Sequence, residues 1–352
     1  MSCCTRKYSA STTALAALDR AVDRRTVVKG LAALVAGLSL GVSRFGFAQG
    51  RRVQLAFCSQ LLCVVPYEVT LRRGYFAEEG LEVELVYTRG GSAAMQALVG
   101  GAVDYAATSL DVALQAFARG AEIERFASTG RLPLFALATA PARAEAITGI
   151  SDLAGRTVGI SALGNADHAL LLYLLEQAGV DASSVEFAIL GPNLYDALRL
   201  GQVEAGMVQE PALSLLQEEG SRVLVNTMDL EDAERFLGGP YEFMGVAVRA
   251  GESEARFSEM QAIARALTRG LEFVHTAPAE LIVDTLPDEL IVGGDRAALE
   301  AIIERYRLSL YPTTVTIDLE AAERVERSLA IAGLLETDPD LEALFNFAVA
   351  DF

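Results

Sequence analysis

The sequence predicts an α/β protein of two lobes with a helical C-terminal region. Three observations carry that expectation. Short apolar runs alternate with stretches of helical spacing from 53 to 249. The alternation falls into two sets, separated near 140–150 and rejoined near 238–245. Beyond 249 the pattern is almost wholly helical. Crossovers of this length imply open, mainly parallel sheets, and a cleft between two such units is the default place for a ligand.

In order, 53–58 reads as a short apolar strand. Helical spacing runs from 66 to 79, with Pro66 at a first-turn position and Gly80 as the stop. Residues 81–87 alternate as a strand, and Gly90-Gly91-Ser92 opens a helix to 99 with Ser92 as N-cap. Strands at 103–108, 123–128 and 134–139 follow, with a helix at 111–119 ended by Gly120. The second set has strands at 157–161, 185–190, 205–209 and 223–226, and helices at 167–178, 193–200 and 211–219. A strand at 243–249 leads into helices near 256–276, 278–285, 295–309, 318–333 and 339–350, a tail expected to pack on the first lobe. The lobes are expected to comprise 49–140 plus 243–352, and 145–240, joined by two crossings.

The chain has 352 residues, 52% of them apolar and 22% charged, which suits a globular core. Its net charge of −18 argues against nucleic acid or an anionic membrane as the main partner. Residues 1–48 hold seven of the 29 basic groups and both lysines, Lys7 and Lys29. The body therefore has no lysine for a Schiff base, a pyridoxal-phosphate site or a phosphate loop.

The first 48 residues read as a cleavable leader. Arg24-Arg25 resembles a twin-arginine export signal, the apolar stretch 31–42 is too short to span a bilayer, and Gly46-Phe47-Ala48 has the form of a cleavage site. A mature, exported chain would begin near Gln49. Of four cysteines, Cys58 and Cys63 lie beyond the leader, as a small-loop disulfide or as two buried thiols. Their spacing, with only His168 and His275 elsewhere, is not that of a zinc site, so no metal is expected.

The segment Arg73-Gly74-Tyr75-Phe76-Ala77-Glu78-Glu79-Gly80-Leu81-Glu82-Val83-Glu84-Leu85 resembles the opening of periplasmic substrate-binding proteins of ABC importers, in the sulfonate, nitrate, taurine and thiamine-precursor group. Gly90-Gly91-Ser92, the run from Ala97 to Ser109, Ile150 to Ile160, Ala197 to Ala205, and Gln209-Glu210-Pro211-Ala212 fit the same family in order. The resemblance spans about 53–250 and implies the type II periplasmic binding protein fold with a two-crossing hinge. It further implies a monomer without cofactor that takes a small molecule in its cleft and passes it to a permease and, through that, to an ATPase. The ligand class stays open among sulfonate, nitrate, pyrimidine, flavin and others.

Ligands of open α/β sheets gather at strand-to-helix turns, where helix N–H groups lack partners. On the first wall this singles out Ser59, Gln60, Ser92, Thr108 and Ser109, with Tyr67 as a ring to stack on a flat ligand. On the second it singles out Ser161, Asn165, Gln209 and Glu210, where Glu210 either accepts from a ligand amine or caps the helix after Pro211. Each of these also suits a plain cap or core contact. Enzymatic readings fare worse. Gly159 to Gly164 is one residue too long for a nucleophile elbow, and Asp167 and His168 are helix neighbours that do not face each other. The remaining alternative is an enzyme of the same fold acting on a chorismate-derived compound, which an export leader disfavours.

Overall fold

The computed structural model describes residues 51–58, 61–291 and 295–352. The leader expected over 1–48 lies outside them, as do Ser59 and Gln60.

Among the described residues, ten strands form two five-stranded sheets. They are β1 (Arg51–Cys58), β2 (Leu81–Thr88), β3 (Tyr105–Ser109), β4 (Ile123–Ser128), β5 (Ala136–Thr139), β6 (Thr157–Ile160), β7 (Glu186–Ile189), β8 (Ala205–Val208), β9 (Val223–Asn226) and β10 (Met244–Arg249). The first sheet has the order β2-β1-β3-β10-β4 and the second β7-β6-β8-β5-β9. Each is mixed, with four strands sharing one direction and a single strand running against them. β1 runs parallel to β2 and β3, and β6 to β7 and β8. β10 and β5, the fourth strand of each sheet, run antiparallel to both neighbours. These two strands enter directly from the segments that pass between the sheets, with no crossover helix to turn the chain back into parallel register.

The helices are α1 (Leu61–Arg72), α2 (Tyr75–Glu78), α3 (Gly91–Val99), α4 (Leu110–Ala118), α5 (Ala166–Gln177), α6 (Leu194–Arg199), α7 (Ala212–Glu218), α8 (Leu230–Asp232), α9 (Ala250–Thr276), α10 (Ala279–Val283), α11 (Arg296–Leu310), α12 (Leu319–Ile331) and α13 (Leu341–Leu344). Within the tail, α9 packs on α1 and β4, whereas α12 touches both α4 and α5 and so reaches each half of the chain. Among the described residues no helix is long and apolar enough to cross a membrane.

Two elements depart from the sequence pattern for identifiable reasons, the first of them at both ends. The helix expected from 66 begins at Leu61, so Pro66 sits inside it. Proline cannot donate to the carbonyl four residues back. Here that Leu62 carbonyl accepts the Tyr311 hydroxyl at 2.7 Å instead, so the tail supplies the missing donor. The same helix stops at Arg72 because Gly74 takes φ 79°, a left-handed conformation that glycine adopts at little cost. The last expected helix breaks at Phe345, which pairs with Arg125 at the β4 edge and covers it.

A buried ion pair fixes the strand ends that face the second sheet. Arg125 and Glu242 are 0% and 2% exposed and 3.0 Å apart. The guanidinium also donates to the carbonyls of Thr108 at 3.0 Å and Phe243 at 2.8 Å, and Ser128 Oγ donates to Glu242 at 3.0 Å. Gly245 is required beside it, because a Cβ there would overlap the Ala127 carbonyl and the guanidinium itself. Breaking such a pair leaves one buried charge without its partner, at a cost of about 3–5 kcal/mol.

Candidate functional site

One small pocket lies where the C-terminal edge of the first sheet meets that of the second. From the first come Cys58 at the end of β1, Cys63 on α1, Gly90 and Gly91 at the start of α3, Thr108 and Ser109 at the end of β3, and Val112 on α4. Phe243 and Met244 open β10. From the second come Phe135 before β5, Ser161 after β6, and Asn165, Ala166 and Asp167 at the start of α5. The space in this partly open pocket is about 30 Å3, room for about two waters.

Three helices of nine residues or more, α3, α4 and α5, direct their N-termini toward this space, where helix ends carry partial positive charge. The first wall keeps hydrogen-bonding capacity in reserve. Thr108 is 1% exposed and its hydroxyl has no partner, while its carbonyl is held by Arg125. The second wall is internally satisfied. Ser161 donates to Asp167 through its N–H at 2.5 Å and its hydroxyl at 2.6 Å, and that hydroxyl accepts from Asn165 Nδ2 at 3.0 Å. Two bonds span the walls directly: Ser92 Oγ to Asn165 Oδ1 at 2.7 Å, and Gln115 Nε2 to the Gly164 carbonyl at 3.4 Å.

Asp167 is the one carboxylate among the described lining residues, and none of them is Arg, Lys or His. Burial pushes its carboxyl above the usual range, against the two bonds from Ser161. Next to it, burial lowers the His168 imidazole, whose Nδ1 accepts from the Gly164 N–H at 3.3 Å. Behind the first wall, Asp111 accepts from Tyr241 at 2.8 Å, keeps its other oxygen without a partner, and is pushed by burial up to about 6.

Of the residues singled out by sequence, Thr108, Ser109, Ser161 and Asn165 come together at the pocket. Ser92 is not the cap of α3, a place taken by Gly90, and its hydroxyl bridges to Asn165 instead. Tyr67 is fully buried, stacked on Phe57 at 5.5 Å and bonded to Thr129 Oγ1 at 2.7 Å, so its ring faces core. Glu210 bonds the Ser214 N–H and hydroxyl, each at 3.0 Å, in the first turn of α7, and neither it nor Gln209 lines the pocket. Ser59 and Gln60 fall outside the described residues. The lining residues that the turn rule missed are Cys58, Cys63, Asp167, Phe243 and Met244 among others. Only Asp167 carried a local signal, two positions after an N-cap.

A family model described as NMT1/THI5 like matches residues 64–281. A solved structure from Bordetella bronchiseptica RB50 is similar with a TM-score of 0.77 and 26% identity, over 86% of this chain and 96% of that one. A Candida albicans protein described as having the generic periplasmic binding protein fold gives 0.67 and 18%, over 84% and 96%. The periplasmic aliphatic sulphonate binding protein SsuA from Escherichia coli gives 0.64 and 18%, over 84% and 97%. No curated protein matches at the level of sequence. At the two lower identities the likeness is one of fold, and that fold is the two-lobed periplasmic binding protein architecture.

Proposed function

This chain belongs to the NMT1/THI5-like family, and on that premise we propose that it captures a small solute outside the cytoplasm and delivers it to the permease of an ABC importer. The observation that carries the reading is Thr108 Oγ1, a buried hydroxyl without a partner in a pocket built from both sheets. A polar group of the solute would accept from or donate to it, with α3 and α4 N–H groups alongside. Phe135, Phe243 and Val112 give the same solute an apolar side.

The lobes in this reading are the first sheet with 243–352 and the second sheet, parting about the two crossings; β5 (Ala136–Thr139), which the sequence pattern groups with 49–140, belongs to the second lobe because it pairs with β8 and β9. The space in the pocket is too small for an organic solute, so entry requires the walls to separate at the Ser92–Asn165 and Gln115–Gly164 bonds. Solute bound between them would then favour the shut form. An oxyanion would be held by dipoles and hydroxyls, because among the described residues no cationic side chain lines the pocket. SsuA of Escherichia coli binds aliphatic sulphonates, so sulfonates head the panel, with nitrate, aminopyrimidines and flavins behind them. A non-catalytic role is supported by Ser161, whose hydroxyl donates to Asp167 while His168 turns to Gly164.

Thermal-shift screening of that panel, followed by calorimetry and solution scattering of the best hit, tests the proposal. The expected result is one solute per chain with compaction on binding. A solute consumed rather than retained, or no binder in any class, would overturn it. Export is tested separately by N-terminal sequencing of protein from the native host, with a start near Gln49 expected.

A further inference from the structure

Three sulfur-bearing residues line the pocket. Cys58 ends β1, Cys63 lies in the first turn of α1, and Met244 opens β10. Cys63 Sγ is 3.9 Å from Met244 Sδ, and the Cys58 thiol is within hydrogen-bonding reach of Cys63. A metal–sulfur bond of about 2.3 Å sets two ligating sulfurs roughly 3.8–4.0 Å apart in tetrahedral or trigonal geometry. The Cys63–Met244 pair already has that separation.

We propose that Cys58, Cys63 and Met244 bind one soft, monovalent cation of the Cu(I) class within the cleft. Two thiolates and a thioether are the donor set that selects Cu(I) over harder ions. A zinc ion would need nitrogen, oxygen or further thiolate donors, and among the described residues no group of three His, Cys, Asp or Glu side chains stands in ligating distance. The spacing of Cys58 and Cys63 says nothing of this site on its own, since the third sulfur comes from a strand 181 positions beyond Cys63. The scaffold is rigid. β1 and β10 flank β3 in one sheet, and the carbonyl before Met244 is held by the buried Arg125. The space of about 30 Å3 suits an ion without any opening of the walls. Ligation replaces the two thiol protons, which pass to solvent. The metal keeps its oxidation state, and the site gains one net negative charge.

The test is a titration of the reduced full chain with Cu(I) against bicinchoninate, without oxygen and in a Cys3→Ser, Cys4→Ser background. One equivalent should be withdrawn from the chelator, and X-ray absorption should give three sulfur neighbours at about 2.3 Å. Cys58→Ser or Cys63→Ser should abolish retention. Met244→Leu keeps the side-chain volume and should weaken it at least about tenfold with an unchanged melting temperature. Ag(I), which cannot cycle, should follow the same pattern. Failure to withdraw copper, or retention indifferent to Cys63→Ser and Met244→Leu, would overturn the site. A Cys58–Cys63 disulfide in protein taken from its host, shown by thiol counting, would overturn it as well. Organic solutes are screened on the metal-free chain, so the two proposals stand or fall separately.

Discussion

Helices α4 and α5 begin alike and are used differently. Each follows a strand of its sheet, each has a polar N-cap in extended conformation (Ser109 and Asn165), and each has an aspartate at its second position. Asp167 turns back on its own loop and satisfies both oxygens with Ser161. Asp111 instead waits for Tyr241, which arrives on the second crossing 130 positions later, and one of its oxygens stays without a partner. The same local pattern therefore makes a self-contained wall on one side of the cleft and a wall dependent on the interlobe crossing on the other. A polar solute gains more from the first wall, where Thr108 is unsatisfied, than from the second, whose groups already pair with one another.

The largest expected effect tests that dependence. Gly245→Ala should unfold the first wall, because its methyl would displace the Ala127 carbonyl or the Arg125 guanidinium, neither of which has room to move. We expect a loss above about 3 kcal/mol, read as a collapse of the urea midpoint. An alanine variant with an unchanged midpoint would mean that the buried pair is not what fixes Thr108 and Phe243.

Next comes pH. Asp111 titrates at about 6 in the folded chain, against 3.8 for the unperturbed carboxyl. Between these values the folded state holds a proton that the unfolded state has released. Its contribution is therefore fully present below about pH 4 and is lost as pH rises through about 6, a change of about 3 kcal/mol. Asp111→Asn keeps an acceptor for Tyr241 and should flatten that slope, measured as the difference between variant and parent unfolding at pH 4.5 and pH 7. By contrast, Asp167→Asn places an amide donor against a Ser161 donor and should cost about 1–3 kcal/mol at pH 7. Equal behaviour of the two variants would erase the distinction between the walls.

Thr108→Val removes the reserve hydroxyl at nearly constant shape. It should leave stability unchanged and weaken the best solute by about 1–3 kcal/mol, or roughly ten- to a hundred-fold, by calorimetry. The smallest effect is expected at the bridge. Ser92→Ala removes one direct bond between the walls and should shift the shut form by about 1 kcal/mol, seen in scattering as a more open apo chain. If Ser92→Ala costs more affinity than Thr108→Val, recognition lies in closure rather than in the first wall.

Much of the architecture was legible in the chain because it is written locally. Strand and helix order from 53 to 249 and the helical tail follow from periodicity and from glycine stops such as Gly80 and Gly120, whereas the membership of the sheets does not, since the strand at 134–139 reads with the first set and pairs in the second sheet. The segments matched by the family model lie largely within the stretch whose motifs showed the resemblance. Four residues that line the pocket were legible for the same reason, since strand-to-helix turns can be located without knowing what they face.

Tertiary structure alone decided the rest. A strand covered on both faces loses the alternation that would tell one side from the other, and helix α1 is buried all round from Leu61 to Thr70, so sequence could not assign Met244 to the cleft or Tyr67 to the core. Nor could it tell a glutamate that caps its own helix from one that reaches a ligand, as Glu210 and its two bonds to Ser214 illustrate. The insertion of β10 as an antiparallel fourth strand, with the crossing that leads into it, brings together Cys63 and Met244, Arg125 and Glu242, Asp111 and Tyr241. Each of those pairs joins residues more than a hundred positions apart, and no local pattern encodes a contact that exists only once two distant strands share a sheet.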